Sequence, residues 1–385
     1  MNNVFCINVP ASLKLVRAFY LLAILLFGFT CISFSVFAQE TTPVAPSVDM
    51  PDEIISVESD SSTAPVPPAI AKVTEPDNTQ PSSSTKPNSV SGWLQKMTNA
   101  TRTLNFKVAF VVSRLNQETV PYLWRHGVVA DGASLEQLNL QNGPGRELIR
   151  VGDVVSIFEP DATPYSLRSK YINGPIPSEL LYEPESLTKG YEFVLVGRAR
   201  VAGRPAQQLR IVSRDNTRFS YQLWLDEATG MFLKLNTLDL QGNILEQIQV
   251  TAMDITDAPS AYFSRVNLSS LPRPLALPPS TNRQHSWKVE YLPSGMFEVK
   301  HDIRRLALTG QVVEYKMFTD GLVDVSVYVQ SAKEAVGADL VLRHELNTFL
   351  TLTDGKAQVT VVGEIPLKTA NAIATSLRLK ENGND

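Results

Sequence analysis

The chain has 385 residues, with 35 lysines and arginines against 39 aspartates and glutamates, for a formal net charge of −4. That length accommodates two ordinary domains plus unstructured sequence. The acidic balance argues against a nucleic-acid partner, whose phosphates require a basic surface.

Lys14 and Arg17 precede the apolar run Ala18–Phe29, and Val36-Phe37-Ala38 supplies small residues of the kind a signal peptidase reads before Gln39. Residues 1–38 are therefore expected to be a cleaved secretory signal. The competing reading is an uncleaved anchor, because Ala18–Ala38 is almost long enough to span a bilayer. Cleavage removes both cysteines, Cys6 and Cys31. The mature chain then has no thiol, which excludes thiol catalysis and thiolate metal sites and fits a secreted protein whose core stands without disulfides.

Residues 39–90 are rich in Pro, Ser and Thr with scattered acids and few aromatics, a composition that buries no core. This tether is expected to be disordered, with an end-to-end distance of roughly 40 Å. A helix follows, capped by Ser91, with Trp93, Leu94, Met97, Ala100 and Thr101 on one apolar stripe. Phe106, Val108, Phe110 and Val112 then alternate as a strand. Further strands are expected at Tyr122–His126, Leu135–Leu140, Glu147–Arg150, Val154–Phe158, Tyr191–Arg200, Gln208–Ser213, Arg218–Leu225, Phe232–Leu240 and Ile244–Thr251. So many consecutive strands form a large antiparallel meander that must curl or close.

Between strands, Glu159–Gly190 is broken by Pro160, Pro164, Pro175, Pro177 and Pro184 yet stays apolar through Tyr165, Leu167, Tyr171, Leu180, Leu181 and Tyr182. Long apolar loops in compact domains are uncommon and often functional. This one is expected to cover the open face of the curved sheet. Prolines at 259, 272, 274, 278 and 279 then mark a stiff linker over 257–284. A second domain, 285–382, is expected to hold a hairpin over Gln311–Gln330 with an Asp320-Gly321 two-residue turn, a second hairpin turning at Asp354-Gly355, and a final helix opened by Pro366.

No nucleophile elbow, phosphate-cradling glycine loop or His-Glu-x-x-His pattern occurs, and the four histidines lack metal-ligand spacing. No catalytic residue, metal or cofactor is therefore assigned. Two constellations remain open. Arg210, Arg214 and Arg218 either meet anionic lipid headgroups or are solvated sheet-face arginines. Phe158, Tyr165, Leu180, Leu181, Tyr182 and Trp224 either line a lipid pocket or form plain core.

The runs VGRARVAGR, RIVSRDNTRFSYQLWLD, GPGRELIRVGDVVSIFEP, FTDGLVDVSVYV and VTVVGEIPLKTANAIA resemble the periplasmic sigma-E regulatory proteins of the RseB/MucB family, over roughly Gly92 to Lys380. The resemblance implies an α+β, mainly β architecture. Residues 91–256 would form an unclosed antiparallel barrel with helices, similar to the lipoprotein carriers LolA and LolB, followed by a smaller α+β domain. It also implies a binding role in the periplasm, with the periplasmic part of an RseA/MucA-type anti-sigma factor as partner. That partner would be shielded from regulated proteolysis and released by lipid or lipopolysaccharide acyl chains. No enzymatic activity is implied, and a homo-oligomer stays open. A lipid or lipoprotein carrier is the alternative; such a carrier needs no second domain, which favours the regulator. The Pro/Ser/Thr tether departs from the family pattern, in which the first helix follows soon after the signal.

Overall fold

The computed structural model describes residues 87, 89–129, 132–276, 285–305, 312–332 and 339–379. The expected signal, both cysteines, nearly all of the tether and the last part of the expected linker lie outside the described residues. Among the described residues no helix is long and apolar enough to cross a membrane.

Helix α1 (Val90–Thr103) buries Trp93, Leu94, Met97, Ala100 and Thr101, the expected stripe. Its cap is Ser89 rather than Ser91: the Ser89 hydroxyl accepts from the Gly92 amide at 3.1 Å. Ser91 instead lies inside the first turn and donates to Glu185.

Eleven strands follow: β1 (Asn105–Arg114), β2 (Val120–Val128), β3 (Ser134–Leu140), β4 (Glu147–Val151), β5 (Val154–Phe158), β6 (Tyr165–Arg168), β7 (Tyr191–Val201), β8 (Arg204–Ser213), β9 (Ser220–Asp226), β10 (Phe232–Leu238) and β11 (Ile244–Thr256). They form one antiparallel sheet in the order β6-β5-β4-β3-β2-β1-β11-β10-β9-β8-β7. The chain meanders from β1 out to β6, jumps to the far edge at β7, and meanders back until β11 pairs with β1. Strands β6 and β7 are the two edges, so the barrel is unclosed, as expected. The sequence did not reveal β6; its four residues sit in the stretch expected to be loop, and pair with β5 from Val154↔Arg168 to Ile157↔Tyr165.

Period-two alternation decides what the sheet encloses. One concave row runs Val108, Trp124, Leu138, Leu148, Ile157, Tyr165 across six strands, and another runs Leu209, Leu223, Leu235, Ile248, Val112. Helix α1 and the connection from β6 to β7 fill the hollow between them. That connection contains the short helix α2 (Ser178–Tyr182) and a 3-10 turn at Pro184–Lys189, and it buries Ile172, Ile176, Leu180, Leu181, Tyr182 and Leu187. It joins opposite edges of the open barrel, and its buried apolar side chains draw it across the mouth.

Residues 257–276, expected to be a stiff linker, lie on the convex face. Phe263 is buried, Tyr262 donates to Glu147 at 2.6 Å under the Arg125 guanidinium, and Ser166 on β6 donates to the Pro272 carbonyl at 2.8 Å. Beyond, β13 (Phe297–Arg305), β14 (Val312–Thr319), β15 (Asp324–Ser331), β16 (Leu340–His344), β17 (Asn347–Thr353) and β18 (Ala357–Gly363) form a six-stranded sheet in the order β13-β14-β15-β18-β17-β16. Helix α3 (Leu367–Thr375) packs Ala370, Ile373 and Ala374 against Val325, Val327 and Val361, while β12 (Trp287–Val289) pairs with β19 (Leu377–Leu379) beside it.

Met97 is fully buried at the centre of the α1 stripe, so Met97→Ala is expected to cost about 2–5 kcal/mol through lost burial and a cavity. Urea denaturation followed by tryptophan fluorescence measures it; a loss under about 0.5 kcal/mol contradicts the packing described.

Candidate functional site: a lidded cleft and an interdomain seam

A third concave row runs Phe106, His126, Glu136, Arg150, Val155, Leu167, placing three polar side chains where apolar ones are the rule. All three are buried. The Glu136 carboxylate accepts from Arg150 Nε at 2.7 Å, from Trp124 Nε1 at 2.7 Å and from the Tyr182 hydroxyl at 3.1 Å. Arg150 spends its other nitrogens on the Gly152 carbonyl and the Ser134 hydroxyl. Burial lowers the His126 pKa, keeping the ring neutral. Its Nδ1 lies 2.7 Å from the Leu104 carbonyl and so carries the proton, leaving Nε2 to accept from Ser134 at 3.2 Å. Every member of this network is thereby satisfied, the condition for tolerating charge in an apolar hollow.

Tyr182 brings the lid into the network. Burial, then the Glu136 carboxylate, pushes its phenol far above the ordinary range, so it stays protonated and donates. Tyr171 stacks on Tyr182 at 4.4 Å and donates to Glu183. Helix α1 holds the lid backbone through Thr98 to the Leu181 carbonyl (3.1 Å) and Arg102 to the Tyr182 carbonyl (2.9 Å). Between lid and sheet a narrow cleft remains, walled by Phe110, Trp124, Leu138, Ile176 and Leu181 with Glu136 at its polar end. With the lid down it has room for roughly a water molecule.

Of the residues named as pocket candidates, Tyr165, Leu180, Leu181 and Tyr182 come to the concave side. Phe158 does not: it stands in the row Ala109, Leu123, Asn139, Glu147, Phe158, on the convex face. Trp224 is also convex, in the row Gln208, Trp224, Lys234, Gln249, Val111, with the Lys234 ammonium 5.2 Å from its ring centre. Alternation shows that two faces exist without saying which is inside, and both aromatics fell on the wrong one. Glu136, Arg150 and His126 went unread, although each sits in phase with apolar neighbours on its own strand (Leu138, Leu148, Trp124), the sequence trace of an inward-facing charge.

The arginine trio separates as well. Arg210 is exposed, and Arg214 is exposed with its Nε bonded to the Thr188 carbonyl. Arg218 is no headgroup ligand: its side chain is 0% exposed, inside the seam between the two sheets. It pairs with Asp320 at 2.5 Å and Asp215 at 3.1 Å, lies over the Tyr191 ring and donates to the Gly190 carbonyl. The Tyr191 hydroxyl also donates to Asp320, and the Asp215 carboxylate accepts from the Ser294 amide. Burial of Asp215 opposes ionisation, but hydrogen bonds from Thr217, Ser213 and Ser294 and the Arg218 charge outweigh it, leaving its pKa far below the usual carboxylate range.

Asp320 explains a corrected turn. The loop is Asp320–Val323, not two residues, because Asp320 Oδ1 caps the Leu322 and Val323 amides while Oδ2 reaches Arg218 and Tyr191. Gly321 follows at φ +92°, where a Cβ would stand 2.8 Å from Leu187 of the lid segment. At the far end of the seam, Arg114 pairs with Glu246 at 2.7 Å and Glu345 at 3.1 Å. Glu364 nearby has its pKa pushed up to about 7, first by burial and then by the Glu246 charge. Among the described residues no cluster of His, Cys, Asp and Glu could hold a metal ion.

Two tests follow from the seam. Asp320→Ala removes the shorter of the two ion pairs of a fully buried guanidinium and is expected to cost about 3 kcal/mol, whereas Arg218→Met with Asp320→Leu should recover much of it; denaturant titrations of both single variants and the double variant read this, and additivity contradicts the pairing. For Glu364, a folded pKa raised above the unfolded one means the folded state holds the extra proton between about pH 4.5 and 7, so that contribution to stability falls as pH rises through this window. Glu364→Gln should therefore stabilise the protein at pH 8 and leave it nearly unchanged at pH 4.5; equal effects at both values rule the assignment out.

The sequence model of the MucB/RseB N-terminal domain matches residues 89–275, and that of the MucB/RseB C-terminal domain matches residues 281–378. The sigma-E factor regulatory protein RseB of Escherichia coli K12 is 33% identical over 287 residues, covering 74% of this chain and 89% of that protein. The sigma factor AlgU regulatory protein MucB of Pseudomonas aeruginosa PAO1 is 30% identical over 307 residues, covering 75% and 90%. A crystal structure of MucB in complex with MucA(peri) superposes with a TM-score of 0.60 at 29% identity, covering 76% of this chain and all of that one. The chain belongs to the MucB/RseB family.

Proposed function

We propose that this protein is a periplasmic regulator of a sigma-E-type stress response, which holds the periplasmic part of an RseA/MucA-type anti-sigma factor and shields it from regulated proteolysis. The observation that carries this is the match along both domains to a MucB solved with MucA(peri). A carrier of the LolA/LolB type is less well supported, since the second sheet is fastened to the barrel through buried charge and is no appendage. The role is one of binding, and no catalytic step is invoked.

The geometry supports a lipid-controlled grip. In this reading an acyl chain enters the cleft only by displacing the lid. The lid segment that closes the cleft with Leu181 and Tyr182 also supports the second sheet's hairpin, where Leu187 meets Gly321. Lifting the lid therefore disturbs the seam beside Asp320 and Arg218. Such a ligand switches the protein only to the extent that it binds the lid-open arrangement better than the lid-closed one.

The test is reconstitution of the mature chain with the periplasmic domain of its cognate anti-sigma factor. Co-purification and at least tenfold slower cleavage of that domain by the site-one protease are expected. Folded protein that neither retains the domain nor slows its cleavage overturns the reading.

A further inference from the structure

We propose that the cleft selects acyl chains bearing a neutral hydrogen-bond donor, a hydroxyl or an amide N–H near the polar end, and rejects free fatty-acid anions. This rests on the reading of the cleft as an acyl-chain site. What it adds is the chemistry of recognition, assigned to Glu136 and Tyr182.

The walls are mostly apolar, and of the polar side chains that line the cleft Ser178 donates its hydroxyl to the Ile172 carbonyl and Tyr182 donates to Glu136, so a ligand meets the Glu136 carboxylate as an acceptor. Arg150 does not offer itself as an anion site: Nε is held by Glu136, one terminal nitrogen by the Gly152 carbonyl and the other by the Ser134 hydroxyl. His126 is neutral, with its Nδ1 proton committed to the Leu104 carbonyl. The polar end of the cleft thus presents an acceptor. With the lid closed, the Tyr182 hydroxyl donates to Glu136 Oε1 at 3.1 Å, alongside Trp124 Nε1. Lid opening withdraws the Tyr182 donor and leaves a buried carboxylate oxygen under-satisfied, a costly condition in an apolar site. A ligand hydroxyl or amide N–H replaces it. A ligand carboxylate instead brings a second negative charge against the first, where little water screens it. Tyr182 is accordingly the internal competitor of the ligand's donor.

Three ligands of equal chain length separate these effects: 1-monomyristoylglycerol (neutral donor), methyl myristate (neutral, no donor) and myristate (anion), each titrated against the mature chain at pH 7.5 by isothermal calorimetry. Monomyristoylglycerol is expected to bind about tenfold tighter than the methyl ester, the worth of one such hydrogen bond, with myristate weakest. In Tyr182→Phe, which keeps the ring packing and deletes the competing donor, monomyristoylglycerol should bind several-fold tighter with the order of the three unchanged. Equal affinities, myristate binding best, or no gain in Tyr182→Phe overturns donor selection while leaving the acyl cleft standing. Failure of all three ligands to bind the folded protein overturns the acyl-chain reading, and this proposal with it.

Discussion

One connection joins the two edge strands of the open barrel, and the burial of its apolar side chains draws it across the mouth. This constraint organises the molecule. Residues 169–190 join β6 to β7 at opposite ends of the sheet order, and they cross the hollow as an apolar strap. One side of the strap closes the cleft and the other meets the second sheet's hairpin.

Two buried ion pairs, Glu136–Arg150 and Arg218–Asp320, sit on either side of this strap. Buried pairs contribute little net stability compared with apolar packing of similar volume. What they supply is sensitivity to position: an apolar contact slides, while a carboxylate with three or four donors aimed at it tolerates little displacement. The strap is held at its cleft side by Tyr182 on Glu136, and the hairpin above it by Arg218 on Asp320.

Strand alternation and the α1 stripe made most of the eleven-stranded sheet legible, as did the apolar, proline-broken character of the strap. The phase of alternation was harder. Trp224 and Phe158 look like pocket residues by size, yet register puts them outside, because inside and outside are set by which strands pair and not by any strand alone. Arg218 reads as a surface cation until Asp320, 102 residues later, arrives beside it. Such pairs are long-range facts that no local pattern carries. The helix cap moved from Ser91 to Ser89 because both residues are competent and only the backbone path chooses between them.

The segment leaving β11 has a further consequence for how an unclosed sheet survives in solution. Exposed strand edges are templates for pairing with other chains. Here the chain, on its way to the second domain, lays Pro274 alongside Ser166 and donates the Leu275 amide to the Ser166 carbonyl, occupying the hydrogen-bonding rim of β6. The opposite rim, β7, carries a bulge at Leu195/Gly197 and exposed Arg198 and Arg200, which discourage an incoming strand. Neither rim of the unclosed barrel therefore presents a nucleus for fibrillar growth, and the same residues that link the domains act as its selvedge.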